Sequence, residues 1–161
     1  MSRELREALE AGALPATLAR RLGFMLVRAS AGSGRLAAET LAPLRIDGRH
    51  YGVLAILREL GPVSQQTLAD ILAVDRSTIV AFVDELEDLG HVRRGRNPSD
   101  RRAYAVELTA YGAKVQQEAA ELLTTCERHY LEPLSAAERR TLLELLGRLV
   151  ARDALEGQRE L

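Results

Sequence analysis

The chain has 161 residues, 47% of them hydrophobic and 28% charged, which suits one folded domain with its own core and excludes an intrinsically disordered class. Charges interrupt every apolar run well short of the ~20 residues that a membrane span needs, and MSRELREALE lacks the apolar centre of a signal peptide, so a cytoplasmic protein without membrane association is expected. The net charge of −1 says little until its distribution is read: 21 of the 22 basic residues are arginine, and five lie between Arg93 and Arg102 against one acid, Asp100.

The first ten residues carry no clear period. From Pro15, the positions Leu18, Leu22, Met25, Leu26 and Ala29 predict a helix that Gly32 and Gly34 weaken or kink before it resumes through Leu36, Leu41 and Leu44. Asp47 is placed to cap a second helix, striped by Val53, Ile56, Leu57 and Leu60 and ended by Gly61-Pro62. Ser64 caps a short third helix with Leu68, Ile71 and Leu72. Asp75 opens a fourth, in which Ile79, Val83, Leu86 and Leu89 form the buried stripe and Gly90 closes the end. Two short helices joined by a tight turn outline a helix-turn-helix.

Val92 then begins a strand that runs into Arg93 and Arg94, while Gly95, Asn97 and Pro98 suit a hairpin loop. Tyr104, Val106 and Leu108 alternate on the return strand and should share one apolar face. Thr109 caps a fifth helix reaching about Tyr130, with Val115, Ala119, Leu122, Leu123, Cys126 and Tyr130 on one side. After Pro133, Ser135 and Glu138 have the spacing of a capping box. They open a sixth helix whose Leu142, Leu143, Leu145, Leu146, Leu149 and Val150 crowd nearly its whole circumference. Such a helix requires burial on more than one side, and a second copy of the chain, forming a homodimer, is the expected cover.

A helix-turn-helix followed by an arginine-tipped hairpin reads physically as a binder of double-stranded DNA. The second helix of the pair, 75–89, would set Arg76, Ser77 and Thr78 in a major groove, with Ser64 and Gln65 at the start of the first helix completing that face. The wing, 93–104, would bring Arg94, Arg96, Asn97, Ser99, Arg101 and Arg102 to a minor groove or the flanking phosphates. Asp100 is expected to brace the wing, accepting hydrogen bonds from Arg102, Arg94 or wing amides so that the other arginines point outward.

DRRAYAVELT carries the pattern D-x-R-x5-L-T through Asp100, Arg102, Leu108 and Thr109, and VDRSTIVAFVDELEDLGHVRR has the form of a recognition helix running into a first wing strand. In these segments, and in their order and spacing, the chain resembles the MarR-type (multiple antibiotic resistance regulator) transcription factors over nearly its whole length. The resemblance implies a mainly α winged helix-turn-helix with a small β-wing, ordered helix, helix, strand, helix, helix, strand, wing, strand, helix, helix. It further implies one chain fold over 1–161, with dimerisation helices at 15–46 and 110–158 flanking a winged region at 47–109. A small-molecule cleft should lie between the two parts. Val80 and Ala81 depart from the polar or basic residues that relatives often carry there.

The function so implied is that of a ligand-responsive dimeric transcription regulator, most often a repressor, on a pseudo-palindromic operator. The alternative is a winged-helix module for protein interaction or metabolite sensing without specific DNA binding. An aromatic or anionic effector would meet Phe24, Arg28, His50, Tyr51 and Leu54, although His50 and Tyr51 suit core or surface packing equally well. Relatives that sense peroxide place a reactive cysteine near the first helix, and relatives that sense urate use a tryptophan; this chain has neither. The single cysteine, Cys126, reads as a packed thiol, and His91 as a half-exposed strand residue. His50, His91 and His129 lack metal-site spacing, so neither metal nor cofactor is expected. No local signature of a nucleophile with its base, paired catalytic acids or a phosphate loop is present, so an enzyme is not expected.

Overall fold

The computed structural model of the protein describes residues 14–96 and 104–157, together with 3 and 7. It divides into two compact units, one ending at Cys126 and the other beginning at Glu127.

The first unit opens with a four-residue helix α1 (Ala16–Ala19) and a long helix α2 (Leu22–Leu41). The interruption falls at Arg20 and Arg21, not at the glycines. Gly32 and Gly34 lie inside an unbroken helix, whose twenty residues absorb the ~1 kcal/mol that each glycine costs relative to alanine. A 3-10 turn (Ala42–Leu44) leads to α3 (Gly48–Leu60), where Asp47 accepts hydrogen bonds from the Arg49 and His50 amides at 2.9 and 3.0 Å. The buried stripe of α3 is His50, Val53, Leu54 and Leu57. Leu60, expected on it, is 55% exposed because the last turn of α3 runs past the end of the core.

Ser64 caps α4 (Gln65–Leu72) through the Thr67 amide at 3.1 Å, and Asp75 caps α5 (Arg76–Asp88) through the Thr78 amide at 2.9 Å. Between the two, Ala73 takes a left-handed conformation with φ 51°, which makes the turn tight. Leu68 and Ala69 are buried on α4, whereas Ile71, expected in its stripe, is half exposed. On α5, Phe82 joins Ile79, Val83 and Leu86 in the core, with Leu89 packed at its margin. Gly90 follows at φ 74°, the positive value that a helix-ending residue needs and that glycine adopts without strain.

Strands β1 (Val92–Arg96) and β2 (Tyr104–Leu108) form an antiparallel pair with Val92 opposite Leu108 and Arg94 opposite Val106. The first strand implied by the family pattern is reduced to one residue, Val63, which exchanges both backbone hydrogen bonds with Val106 at 2.8 and 3.2 Å. Gly95, expected in the hairpin loop, belongs to β1 and faces Ala105. Only part of the predicted apolar face of β2 is covered: Val106 is buried and Leu108 partly so, while Tyr104 extends beyond the core at 72% exposure.

Thr109 caps helix α6 (Ala110–Tyr130), its hydroxyl oxygen accepting the Gly112 amide at 2.9 Å. Gly112, Val115, Ala119 and Leu123 are buried on α6, and Leu122, expected beside them, is exposed. The core of this unit gathers Leu41, Leu54, Leu68, Ile79, Leu86 and Val106 from five helical or strand elements.

The second unit contains the end of α6 and helix α7 (Ala136–Gly157), opened by the expected capping box: the Ser135 amide donates to Glu138 at 2.8 Å and the Glu138 amide to Ser135 at 3.3 Å. Leu143 and Val150 are each 68% exposed, and Leu142, Leu145 and Leu149 are exposed too.

Candidate nucleic-acid interface

Asp75 organises the start of α5. Besides the Thr78 amide, its carboxylate accepts the Ser77 hydroxyl and, at 2.5 Å, the Thr78 hydroxyl. These bonds, that from Ser77 foremost, hold the Asp75 carboxyl far below the usual carboxylate range. Both hydroxyls are thereby fixed in orientation with lone pairs left to accept, while Arg76 is exposed and takes part in none of the ion pairs among the described residues. Ser64 and Gln65 are half buried at the start of α4. The Gln65 side-chain nitrogen is covered and has no hydrogen-bond partner among the described residues.

The wing base is less basic than its sequence. Arg93 donates to Glu107, directly across the hairpin, at 2.7 Å. Arg94 donates to Glu87, and to Asp84 at 2.5 Å, both on α5. Two of the five clustered arginines therefore face carboxylates from outside the cluster. Partial burial pushes the Arg94 guanidinium down, but the bonds to Asp84 and Glu87 outweigh it and raise it overall; the Arg94 amide and side chain together lower Glu87. Arg96 closes β1 and is exposed. Asn97, Ser99, Arg101 and Arg102, and the proposed brace Asp100, lie outside the described residues.

Helix α5 is also tied to α3. His50 Nδ1 lies 3.3 Å from the Asp47 amide, and in the tautomer that accepts from this amide Nε2 carries the proton and donates to Glu85 at 2.9 Å. The His50 ring packs edge-on against Phe82, and the Arg49 guanidinium lies 5.1 Å from the Phe82 ring centre while bonding Asp47 at 2.6 Å. Burial raises Asp47, yet the bonds from Arg49 and the His50 amide leave it below its ordinary value.

A capped helix presenting arginine and two hydroxyls beside an arginine-bearing hairpin has a counterpart among known proteins. Residues 49–104 match the MarR family, and the chain is 33% identical over 139 residues to a protein of Thauera aromatica assigned to regulation of the hcr operon, covering 86% of this chain and 84% of that one. The chain belongs to the MarR family. It is a DNA-binding transcription regulator with the winged-helix fold. Two solved structures agree: a mutant MarR from E. coli complexed with operator DNA (TM-score 0.73, 29% identity, 80% of this chain and 92% of that one) and CouR from Rhodococcus jostii RHA1 bound to p-coumaroyl-CoA (TM-score 0.75, 28% identity, 82% and 93%). Among the described residues, no helix is long and apolar enough to cross a membrane.

In this MarR-family chain the five residues expected to line an effector pocket differ in setting. Leu54 is fully buried and His50 nearly so, Phe24 and Tyr51 are half buried, and Arg28 is exposed. A cleft of about 340 Å³ lies elsewhere, between the end of α3 and the β2–α6 junction, and is lined by none of the five. His91 contradicts its expected half-exposed place on a strand. It precedes β1, is 2% exposed, and neither ring nitrogen has a hydrogen-bond partner among the described residues. Its ring packs against Tyr111 at 5.2 Å, and burial first, then His50 and Arg45, lower its proton affinity. Cys126 is half buried.

The residues that sequence reasoning missed are acids: Asp84, Glu85 and Glu87 on the recognition helix and Glu107 on the return strand. A usable signal existed in Glu107, which any hairpin centred on 97–103 sets across from Arg93.

Proposed function

We propose that the protein is a homodimeric, ligand-responsive repressor that reads a pseudo-palindromic operator, the first turn of α5 entering the major groove and the wing lying over the adjacent minor groove. The observation that carries this is the start of α5, where Asp75 fixes two hydroxyls beside an exposed Arg76. Dimerisation is supported by the apolar residues left exposed on α7, Leu143 and Val150 among them, and on α2, where Leu22 and Val27 are each about two-thirds exposed.

The proposed effector is a small aromatic or anionic compound meeting Phe24, Arg28, His50, Tyr51 and Leu54; the ligand seen on CouR supports an effector of aromatic and anionic character. His50 gives that site a route to DNA, because a ligand that takes its Nε2 from Glu85 releases one tie on α5. A hundredfold loss of operator affinity needs ~2.7 kcal/mol of difference in ligand affinity between the two protein states. No catalytic step is assigned to any residue, and cytoplasmic residence suits the role.

Selection of bound fragments from sheared genomic DNA by the purified protein tests the reading. Recovery of an inverted repeat, bound by a species that sediments as a dimer, is the expected result. Recovery of random sequence would favour a protein-interaction or metabolite-sensing module. For the effector, aromatic acids that weaken the operator complex should lose potency with Arg28→Ala or His50→Ala. Unchanged potency in both would remove this pocket.

A further inference from the structure

We infer that Arg94 is a positioning residue: with Glu87 and Asp84 it locks the wing to the recognition helix and makes no contact with DNA. This rests on the DNA-binding reading above. The backbone pattern comes first. Val106 spends its amide and carbonyl on Val63, on the far side of β2 from β1. Residues facing each other in an antiparallel pair alternate between exchanging both backbone bonds and exchanging none, so Arg94, opposite Val106, belongs to a pair that exchanges none. Its amide therefore points off the outer edge of β1.

Glu87 occupies that edge. One of its carboxylate oxygens accepts the Arg94 amide at 2.8 Å, and the other accepts the Arg94 guanidinium. The guanidinium then reaches Asp84, three residues and nearly one turn earlier on α5. One side chain thus joins two levels of the recognition helix to the wing strand, and a third bond runs through the strand backbone. The link crosses only Gly90 and its neighbours, the turn that sets the angle between helix and wing. Two charged bonds and one amide bond fix that angle more narrowly than the turn alone. A lysine would not reproduce the arrangement, because one ammonium nitrogen would stand for the two guanidinium nitrogens that reach Glu87 and Asp84 separately.

The chemistry also explains why acids sit on a helix that approaches phosphates. An arginine that served DNA directly would bind better without them. An arginine that serves the wing requires them.

The test compares full-length wild type, Glu87→Gln, Asp84→Asn and Arg94→Lys on one selected operator, across a salt series, with hydrogen exchange at the Arg94 amide. Glu87→Gln removes a negative charge from the DNA-facing side, yet it should weaken operator binding about fivefold, leave the salt slope unchanged and speed exchange of that amide. Arg94→Lys keeps the charge and should weaken binding similarly, and Asp84→Asn less. Tighter binding by Glu87→Gln, or wild-type affinity in Arg94→Lys, overturns the inference and makes Arg94 a phosphate contact. Failure of the wild type to prefer its selected operator over random duplex would instead remove the DNA reading, and this role with it.

Discussion

The first turn of α5 and its last two turns carry opposite chemistry within thirteen residues. Arg76, Ser77 and Thr78 stand at a helix start where Asp75 fixes the hydroxyls, whereas Asp84, Glu85 and Glu87 hold Arg94 of the wing and His50 of α3. In the proposed reading one end meets DNA, while the other is consumed in holding the helix where it is. Negative charge on a helix proposed to face DNA therefore need not oppose binding, provided each carboxylate is matched by an N–H donor from its own protein.

The change expected to disturb both ends at once is Gly112→Ala. A Cβ there would lie 1.9 Å from the carbonyl oxygen of His91, the last residue before β1, and every atom it meets is His91 backbone. Overpacking at such a contact should cost about 3 kcal/mol of folding stability, read as a lower urea midpoint with an unchanged slope. A wild-type midpoint would mean that the hinge is looser than its geometry implies.

Arg76→Ala tests the reading end alone. Operator affinity should fall by about 1–3 kcal/mol and the salt slope become shallower by about 0.9, while stability stays the same. A loss of stability without a change in slope would place Arg76 in the structure of the helix instead.

The anchoring end can be probed by pH through His91. Burial holds its proton affinity below the ordinary value, so the folded protein stays neutral there while the unfolded chain, with a pKa near 6.5, takes up a proton. Stability should be full above about pH 6.5 and decline as the pH falls from there toward the depressed folded value. Urea midpoints of wild type and His91→Leu at pH 7.5 and 5.5 isolate this contribution from His50 and His129, and a smaller decline in the variant is expected.

The mildest effect belongs to Glu107→Gln. Its bond to Arg93 joins a mostly exposed guanidinium to a carboxylate, so stability should change by less than ~0.5 kcal/mol, while Arg93 becomes available and nonspecific DNA binding rises slightly. A larger loss of stability would show that the hairpin depends on this pair.

What could be read from the sequence, and what could not, follows the range of the interactions. Asp47, Ser64, Asp75, Thr109 and the Ser135–Glu138 box were legible because a cap is satisfied within three residues of chain. The end of α5 was legible because Gly90 alone in that stretch takes a positive φ without strain. The exposure of Leu60, Ile71 and Leu122 was not, since each keeps helical period but sits where the core ends. Charge was the least legible: a ten-residue window counts Arg93 and Arg94 as free cations, but their partners lie seven to fourteen residues away and meet them only once the hairpin register and helix angle are set. His91 misled for the same reason, because its burial is imposed by α6 closing over it at Gly112.

Hydroxyl-radical footprinting of the full-length protein on a selected operator bears most directly on the claim that the first turn of α5 reads DNA while the rest of the helix is anchored. The expected pattern is two protected windows related by the repeat's symmetry, with half-site centres about 10 base pairs apart, and weaker backbone protection beside the recognition helices, not under the wings, in Arg76→Ala. A single window, or a footprint that Arg76→Ala leaves unchanged, would contradict it.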